Sequence, residues 1–439
     1  MTAELVETRP ETATSLLLPP GTRLVHIGPQ KTGTTTLQSA FHVSRAALEA
    51  QGVEYAARAR QPMRAALAVV GRPLHAMTDE PAPISEWERL VRLIQRADAP
   101  RIVLSAEALS DAKPDAIRRI VGDLDPARIH IAVTLRPLTR ILPSQWQQYV
   151  QAGVTIGFDD WLHAVLESER SRVTPSFWRR HRHDRLIKRW ADVVGPERIT
   201  VVVADDRDRD RILRVFEQLV GLSEGTLVPD PDLMNRSLTL GEAEMIRAFN
   251  IAFREADLPM ALHTLVMRRS ASELIKRRPP ATDELKIRLP AWAAERAAEI
   301  ARDIVDNIRA SDVRVVGDLE TLVELPDSGT PGQPQEWVPV TPETAAFGAL
   351  SMLIATGVVR RERGRMGAAD DATSGARGRE LEDAEGLHRV RSRQIASVLT
   401  RRAETRVAGV WRRIPDPVRT GWLQVIPRSY RSVRAFVRR

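Results

Sequence analysis

Ten consecutive residues combine types and spacing that suit an anion: Gly28-Pro29-Gln30-Lys31-Thr32-Gly33-Thr34-Thr35-Thr36-Leu37. The glycines permit a tight backbone, Thr32 and Thr34 to Thr36 offer hydroxyls, and Lys31 sits inside the turn. Before the turn, Arg23 to Gly28 has strand character. After it, Leu37, Phe41 and Leu48 recur at helical spacing. A loop between a strand and a helix start gathers backbone N–H groups and the positive helix end around one point. The dipole alone stabilises an anion there by about 0.3–1 kcal/mol.

The loop departs from the nucleotide pattern G-x-x-x-x-G-K-[ST]. Gly28 and Gly33 keep its spacing, but Thr34 stands where the lysine belongs, and Lys31 comes earlier. A lysine inside the loop meets the group that bridges the nearest phosphate rather than a terminal phosphate. Ile129 to Leu135, a strand-like run, ends in Arg136 and not in the acid that a Mg²⁺ site needs. An ATPase or GTPase is disfavoured on these grounds. A P-loop kinase-like phosphotransferase and a non-catalytic nucleotide-binding protein stay as alternatives.

A loop lysine followed by Gly-Thr-Thr resembles the sulfotransferases that use 3′-phosphoadenosine 5′-phosphosulfate (PAPS). Ile27 to Thr35 looks especially like the loop of heparan sulfate N-deacetylase/N-sulfotransferases. The resemblance spans roughly residues 22–325. Pro143 to Gln148 and Val313 to Leu319 look like actinobacterial members, and the excess of arginine over lysine fits a high-GC genome. In that family an Arg at a strand end and a Ser eight residues later hold the donor's 3′-phosphate. Arg136 and Ser144 have that interval here. A guanidinium gives a fixed fork for a phosphate. The plainer alternative is a strand-capping Arg136 and a helix-start Ser144. Trp146 reads as a core residue or as a wall of the adenine pocket. Asn235-Arg236-Ser237 matches Asn-x-Ser segments near the donor in bacterial members, although Ser237 equally reads as a helix cap or a turn residue.

The resemblance implies PAPS as co-substrate, 3′,5′-ADP as product and no metal. Lys31 would donate to the bridging oxygen as the bond breaks. Gln30, Lys31, Thr32, Gly33, Thr34, Thr35 and Thr36 would line the donor site, with Arg136, Ser144, Asn235 and Ser237. The acceptor must lose a proton, so a general base is expected. Glu107, just past the strand-like run Arg101 to Ser105, is the first choice, and it also reads as a helix-start acid. His42 and His75 are second choices. His181 and His183 fall in an Arg-rich helical stretch, Trp178 to Arg189, whose basic face would suit an anionic acceptor but is expected to be a solvated face. The acceptor would be a small molecule or a glycan: a carbohydrate, a glycolipid or a secondary metabolite.

These residues need a frame. Arg23 to Gly28, Arg101 to Ser105, Ile129 to Leu135 and Ile199 to Val203 are short, β-branched and unalternating, as buried parallel strands are. Helical stripes lie between them. Leu186, Ile187, Trp190 and Val194 stop at Gly195-Pro196, and Ile212, Leu213, Phe216, Leu219 and Val220 stop at Gly221. The expected fold class is α/β: a P-loop-type three-layer fold with a central parallel sheet flanked by helices, plus a helical C-terminal part and a basic tail. The expected segments are a flexible leader at 1–22, the catalytic domain at 23–325, a linker with a short apolar helix at 326–385, and an Arg/aromatic tail at 386–439. Residues 360–385 have few apolar side chains and read as disordered.

The chain has 439 residues, 43% of them hydrophobic and none cysteine, so disulfides and thiolate chemistry are excluded. Met1 to Pro20 lacks a basic region followed by an apolar run, so no signal peptide is expected. No run reaches the roughly 18 apolar residues of a membrane span. The expected compartment is the cytoplasm. Of the net charge of +8, residues 386–439 supply +12 (14 Arg less Glu404 and Asp416), which leaves −4 elsewhere. Nucleic-acid binding therefore does not follow from the total charge. Trp411, Trp422, Tyr430 and Phe436 among those arginines suit an anionic lipid surface at the inner face of the membrane. An acidic partner or another subunit is the competing reading.

Overall fold

Runs of β-branched residues that are apolar on both faces bury only when helices cover both sides of the sheet they form. In the computed structural model, which describes residues 15–73, 81–169, 171–208, 210–230, 236–325 and 340–355, they do so. Six parallel strands, β1 (Arg23–His26), β2 (Val53–Tyr55), β3 (Arg101–Ser105), β4 (Ile129–Leu135), β5 (Ile199–Val203) and β6 (Arg314–Val316), lie in the order β2-β3-β1-β4-β5-β6. All seven residues of β4 are buried. The register places Val25 beside Leu104 on one side and Ile131 on the other.

The helices that bear on the site are α1 (Thr34–Val43), α2 (Leu138–Gln151), α3 (Phe177–His181), α4 (His183–Val194), α5 (Arg211–Val220), α6 (Leu240–Glu255) and α7 (Pro342–Ala355). Alternate strand residues feed two separate cores. Val25, Ile27, Leu104, Ile131 and Val133 pack with Trp146 of α2 and Leu186 and Trp190 of α4. Leu24, Val103, Ala132 and Val202 pack with Phe41 of α1 and Phe216 and Leu219 of α5. This is the three-layer α/β arrangement expected from the sequence. The chain leaves β1 toward β2 but leaves β4 toward β5, so the sheet changes direction between β1 and β4. Ligands bind at the carboxyl ends of strands at such a switch.

Three expectations need correction. The short edge strands β2 and β6 were not foreseen. The leader is not flexible from residue 15 onward: Leu18 is buried, its N–H donates to Leu219 O at 2.9 Å, and its carbonyl accepts from Arg101 Nε at 2.8 Å. The stretch Trp178 to Arg189 is neither one helix nor a solvated face. Arg182 (φ −77°, ψ 81°) breaks it into α3 and α4, and Arg180, His181, Arg182 and His183 are all buried.

Helix α6 opens with a capping box, in which Thr239 and Glu242 each bond the other's backbone N–H. The apolar run from residue 344 forms most of α7, and Thr344 and Ser351 within it are buried. Among the described residues no helix is long and apolar enough to cross a membrane. His75, Asn235, most of the 326–385 segment and the whole 386–439 tail lie outside the described residues.

Candidate functional site

β1 runs into the loop at the switch point. Gly28 has φ +81°, and a Cβ there would stand 3.1 Å from Glu107 Cβ and 3.2 Å from Glu107 Cα. Glycine is therefore required both by conformation and by the close approach of Glu107. Gly33 (φ 91°) turns the chain into α1. Between them Lys31 also adopts a left-handed backbone, φ 68°, which costs a non-glycine residue on the order of 1–3 kcal/mol unless its surroundings hold it.

The first helical amide bond of α1 runs from Leu37 N to Gly33 O, 3.2 Å. The N–H groups of Thr34, Thr35 and Thr36 precede it and have no partner within the helix. No side chain caps this end and its first turn holds no acid. The start of α1 is thus an open anion position of the kind expected from the sequence.

A directed chain of hydrogen bonds supports the loop from below. His26 Nδ1 lies 2.8 Å from Ser105 Oγ, and His26 Nε2 lies 3.1 Å from Thr134 Oγ1. Thr134 Oγ1 is 2.6 Å from Thr32 Oγ1, which donates to Pro29 O at 2.7 Å. Since Thr32 spends its proton on Pro29, Thr134 donates to Thr32, with Gly28 O a second, longer acceptor at 3.3 Å, and His26 donates to Thr134 from Nε2. Ser105 then donates to Nδ1. One neutral tautomer satisfies every link, and full burial agrees, pushing the His26 pKa down to about 3. The backbone adds Thr134 N to Gly28 O at 2.9 Å. This spine joins β3, β1 and β4 under the loop. Sequence reasoning missed it because its members lie 79 and 108 residues apart.

Glu107 opens the 3-10 turn Glu107–Asp111 just after β3. Thr34 Oγ1 donates to its Oε2 at 2.7 Å, so the carboxylate stands at the start of α1. An acid thus follows a strand beside the loop, and the strand is β3, after which the sequence placed Glu107, rather than β4. His42 sits in the last turn of α1, eight residues beyond Thr34, about 12 Å along a helix rising 1.5 Å per residue.

Arg136, just beyond β4, makes a two-pronged ion pair with Asp206 beyond β5: Nε to Oδ1 3.1 Å and Nη2 to Oδ2 2.8 Å. Arg140 Nε approaches the same carboxylate at 3.5 Å. Sequence reasoning missed Asp206, whose partner is 70 residues away. Ser144 is half-buried on the second turn of α2. Ser237 is exposed, and the cap of α6 is Thr239, so the cap reading of Ser237 is corrected. Leu238 N donates to Gln147 Oε1 at 2.8 Å. That bond ties the segment after Ser237 to α2, three residues beyond Ser144. Trp146 is fully buried and donates to Ile156 O at 3.2 Å, the core role.

Gln30, Lys31, Thr35 and Thr36 are half-buried, Gly33 is exposed, and Thr32 and Thr34 are buried. The structure therefore brings Gly28 to Thr36 and Glu107 together, with Arg136 just beyond β4, the strand that adjoins β1. No hydrogen bond joins Ser144 to Arg136 or to the loop among the described residues. No known family model matches the chain, and no curated protein matches it. One solved structure, a sulfotransferase from Alicyclobacillus acidocaldarius, is similar with a TM-score of 0.33 at 15% identity, covering 55% of this chain and 96% of that one. A likeness of that degree identifies no activity, so the chemistry has to be read from the site's own residues.

Proposed function

We propose that this protein transfers a sulfuryl group from PAPS to a hydroxyl or amine of a carbohydrate, a glycolipid or a secondary metabolite. One observation carries the reading: a carboxylate, Glu107, bonded at 2.7 Å to the first threonine of a helix whose loop lysine precedes the second glycine. In this reading the carboxylate is the proton acceptor and Lys31 the cation beside the anion position at the start of α1.

In this reading the amides of Thr34 to Thr36 hold the donor's 5′-phosphate and sulfate oxygens, with the hydroxyls of Thr35 and Thr36. Arg136 exchanges Asp206 for the 3′-phosphate, and Ser144, Asn235 and Ser237 complete that end. Glu107 takes the proton of the acceptor while the acceptor's lone pair forms the new bond to sulfur. The bond from sulfur to the bridging oxygen breaks toward the phosphate, and Lys31 meets the charge left there. The products are the sulfated acceptor and 3′,5′-ADP. Loss of such a preorganised donor costs about 2.7–4 kcal/mol in the barrier, or roughly 10²–10³ in rate. No metal is called for.

The Thr34–Glu107 contact also favours a second reading. A loop hydroxyl paired with an acid beyond a neighbouring strand is how P-loop phosphotransferases hold Mg²⁺. The missing lysine after Gly33 weighs against it. A thermal-shift titration with 3′,5′-ADP, 5′-AMP and Mg·ATP on wild type and Arg136→Ala separates the two. Stabilisation by 3′,5′-ADP alone, lost in the variant, supports sulfuryl transfer. Stabilisation by Mg·ATP alone supports the phosphotransferase and removes the first reading.

A further inference from the structure

A contact of the loop with Arg180 enters neither reading. Arg180, in α3, is only 4% exposed, yet its guanidinium reaches the loop: Nη1 donates to Gln30 Oε1 at 2.9 Å. Its other atoms are anchored around it. Nη2 donates to Tyr149 OH at 2.9 Å and to Ser176 Oγ at 2.8 Å, and Nε donates to Ser176 O at 3.2 Å. The Asp111 carboxylate lies 3.6 Å from Nε. Asp111 is itself buried, ends the turn that Glu107 begins, and pairs on its far side with Arg72. One buried cation therefore touches three pieces of the site: the loop through Gln30, the Glu107 turn through Asp111, and the Ser144 helix through Tyr149.

We propose that Arg180 is a positioning residue for Lys31. By clamping Gln30 it holds the next residue in its left-handed conformation, and by its contact with Asp111 it fixes that conformation relative to Glu107. Lys31 is not glycine, so its φ of 68° has to be imposed by neighbours. Gln30 is its immediate neighbour, and the buried fork grips Gln30 by its side chain. A guanidinium suits the task because its planar donors serve several acceptors in one fixed frame. The proposal deepens the donor reading, which puts Lys31 against the leaving phosphate, but the loop geometry can be tested without any donor.

Hydrogen exchange of the ligand-free chain reads it directly. Arg180→Gln and Gln30→Ala should each speed exchange in the peptide covering residues 28–35 by about tenfold, a loosening confined to one segment. Because one residue acts through the other, the double variant should match the single ones. Gln30→Glu should keep wild-type exchange, since a carboxylate accepts the same fork, and should lose that protection once Arg180→Gln is added. Peptides of β4 and β5 serve as the check on the fold. If Arg180→Gln also loosens those strands, Gln30→Ala and Gln30→Glu decide the matter alone, because residue 30 lies outside both cores. Unchanged exchange in the loop of Gln30→Ala, or effects that multiply in the double variant, overturn the proposal. Adding 3′,5′-ADP to wild type separates this result from the donor reading: no added protection of residues 28–35 sinks the donor reading and leaves the Arg180 result standing.

Discussion

Lowering the pH from 7 to 5.5 should destabilise this protein far more than its carboxylates explain. Among the described residues five histidines are buried and favour the neutral form; His263, lowered by burial and Arg254, adds to the four with the larger shifts. Burial pushes His26 down to about 3. Burial, then Arg314 and Arg198, lowers His130 to about 4. Burial lowers His183 to about 4 against the pull of Asp184. His181 lies well below the ordinary value through burial and the neighbouring Arg180. Each folded pKa is depressed below the unfolded value of about 6.5. Each stabilising contribution is therefore intact above pH 6.5 and is lost progressively as pH falls from there toward 3–4. Between pH 7 and 5.5 the unfolded chain takes up most of one proton per histidine and the native chain almost none. That costs about 1.2 kcal/mol per histidine, and about 5 kcal/mol for the four. Typical domain stabilities are about 5–15 kcal/mol, so the loss is large. Denaturant titrations at the two pH values measure it, and unfolding followed in buffers of different ionisation enthalpy counts the protons. A loss under about 1 kcal/mol, or uptake of fewer than two protons at pH 5.5, would refute the neutral buried histidines and with them the tautomer derived for the spine beneath the loop.

Other outcomes follow from single contacts. Gly28→Ala puts a Cβ at a positive φ against the Glu107 backbone; it should cost about 1–3 kcal/mol of stability and weaken 3′,5′-ADP binding at least tenfold by calorimetry. Asp206→Ala frees the Arg136 fork, so 3′,5′-ADP should bind several-fold more tightly; weaker binding would show that Asp206 orients Arg136 rather than competing for it. Glu107→Gln keeps an acceptor for the Thr34 hydroxyl. It should leave 3′,5′-ADP affinity nearly unchanged while radiolabelled sulfate transfer to an accepted substrate falls about 10²–10⁴-fold. Thr239→Ala removes half of the α6 capping box and should cost about 1 kcal/mol in a denaturant titration.

The parts of the site that were legible in the sequence are those written in local pattern. The glycine loop and the buried strands β1, β3, β4 and β5 show as motif and as short, mainly apolar, β-branched runs without alternation. β2 and β6 are three residues each, too short to carry a pattern of their own. The break at Arg182 has no glycine or proline to announce it, and the burial of Arg180 and its histidine neighbours depends on partners from other elements. Strand order is also invisible locally. Glu107 was legible as an acid just past a strand-like run, but not that this run, β3, lies beside β1 and brings Glu107 to Thr34. Arg136 and Asp206 meet for the same reason, through the pairing of β4 with β5.

The most direct test of the account is a calorimetric titration of the wild-type chain with 3′,5′-ADP in the presence of a chelator, beside Mg·ATP without one. We expect one site for 3′,5′-ADP that needs no divalent ion, at least tenfold tighter than 5′-AMP, and no comparable binding of Mg·ATP. Binding of Mg·ATP with none of 3′,5′-ADP would contradict it and make the Thr34–Glu107 pair a metal-binding element of a phosphotransferase.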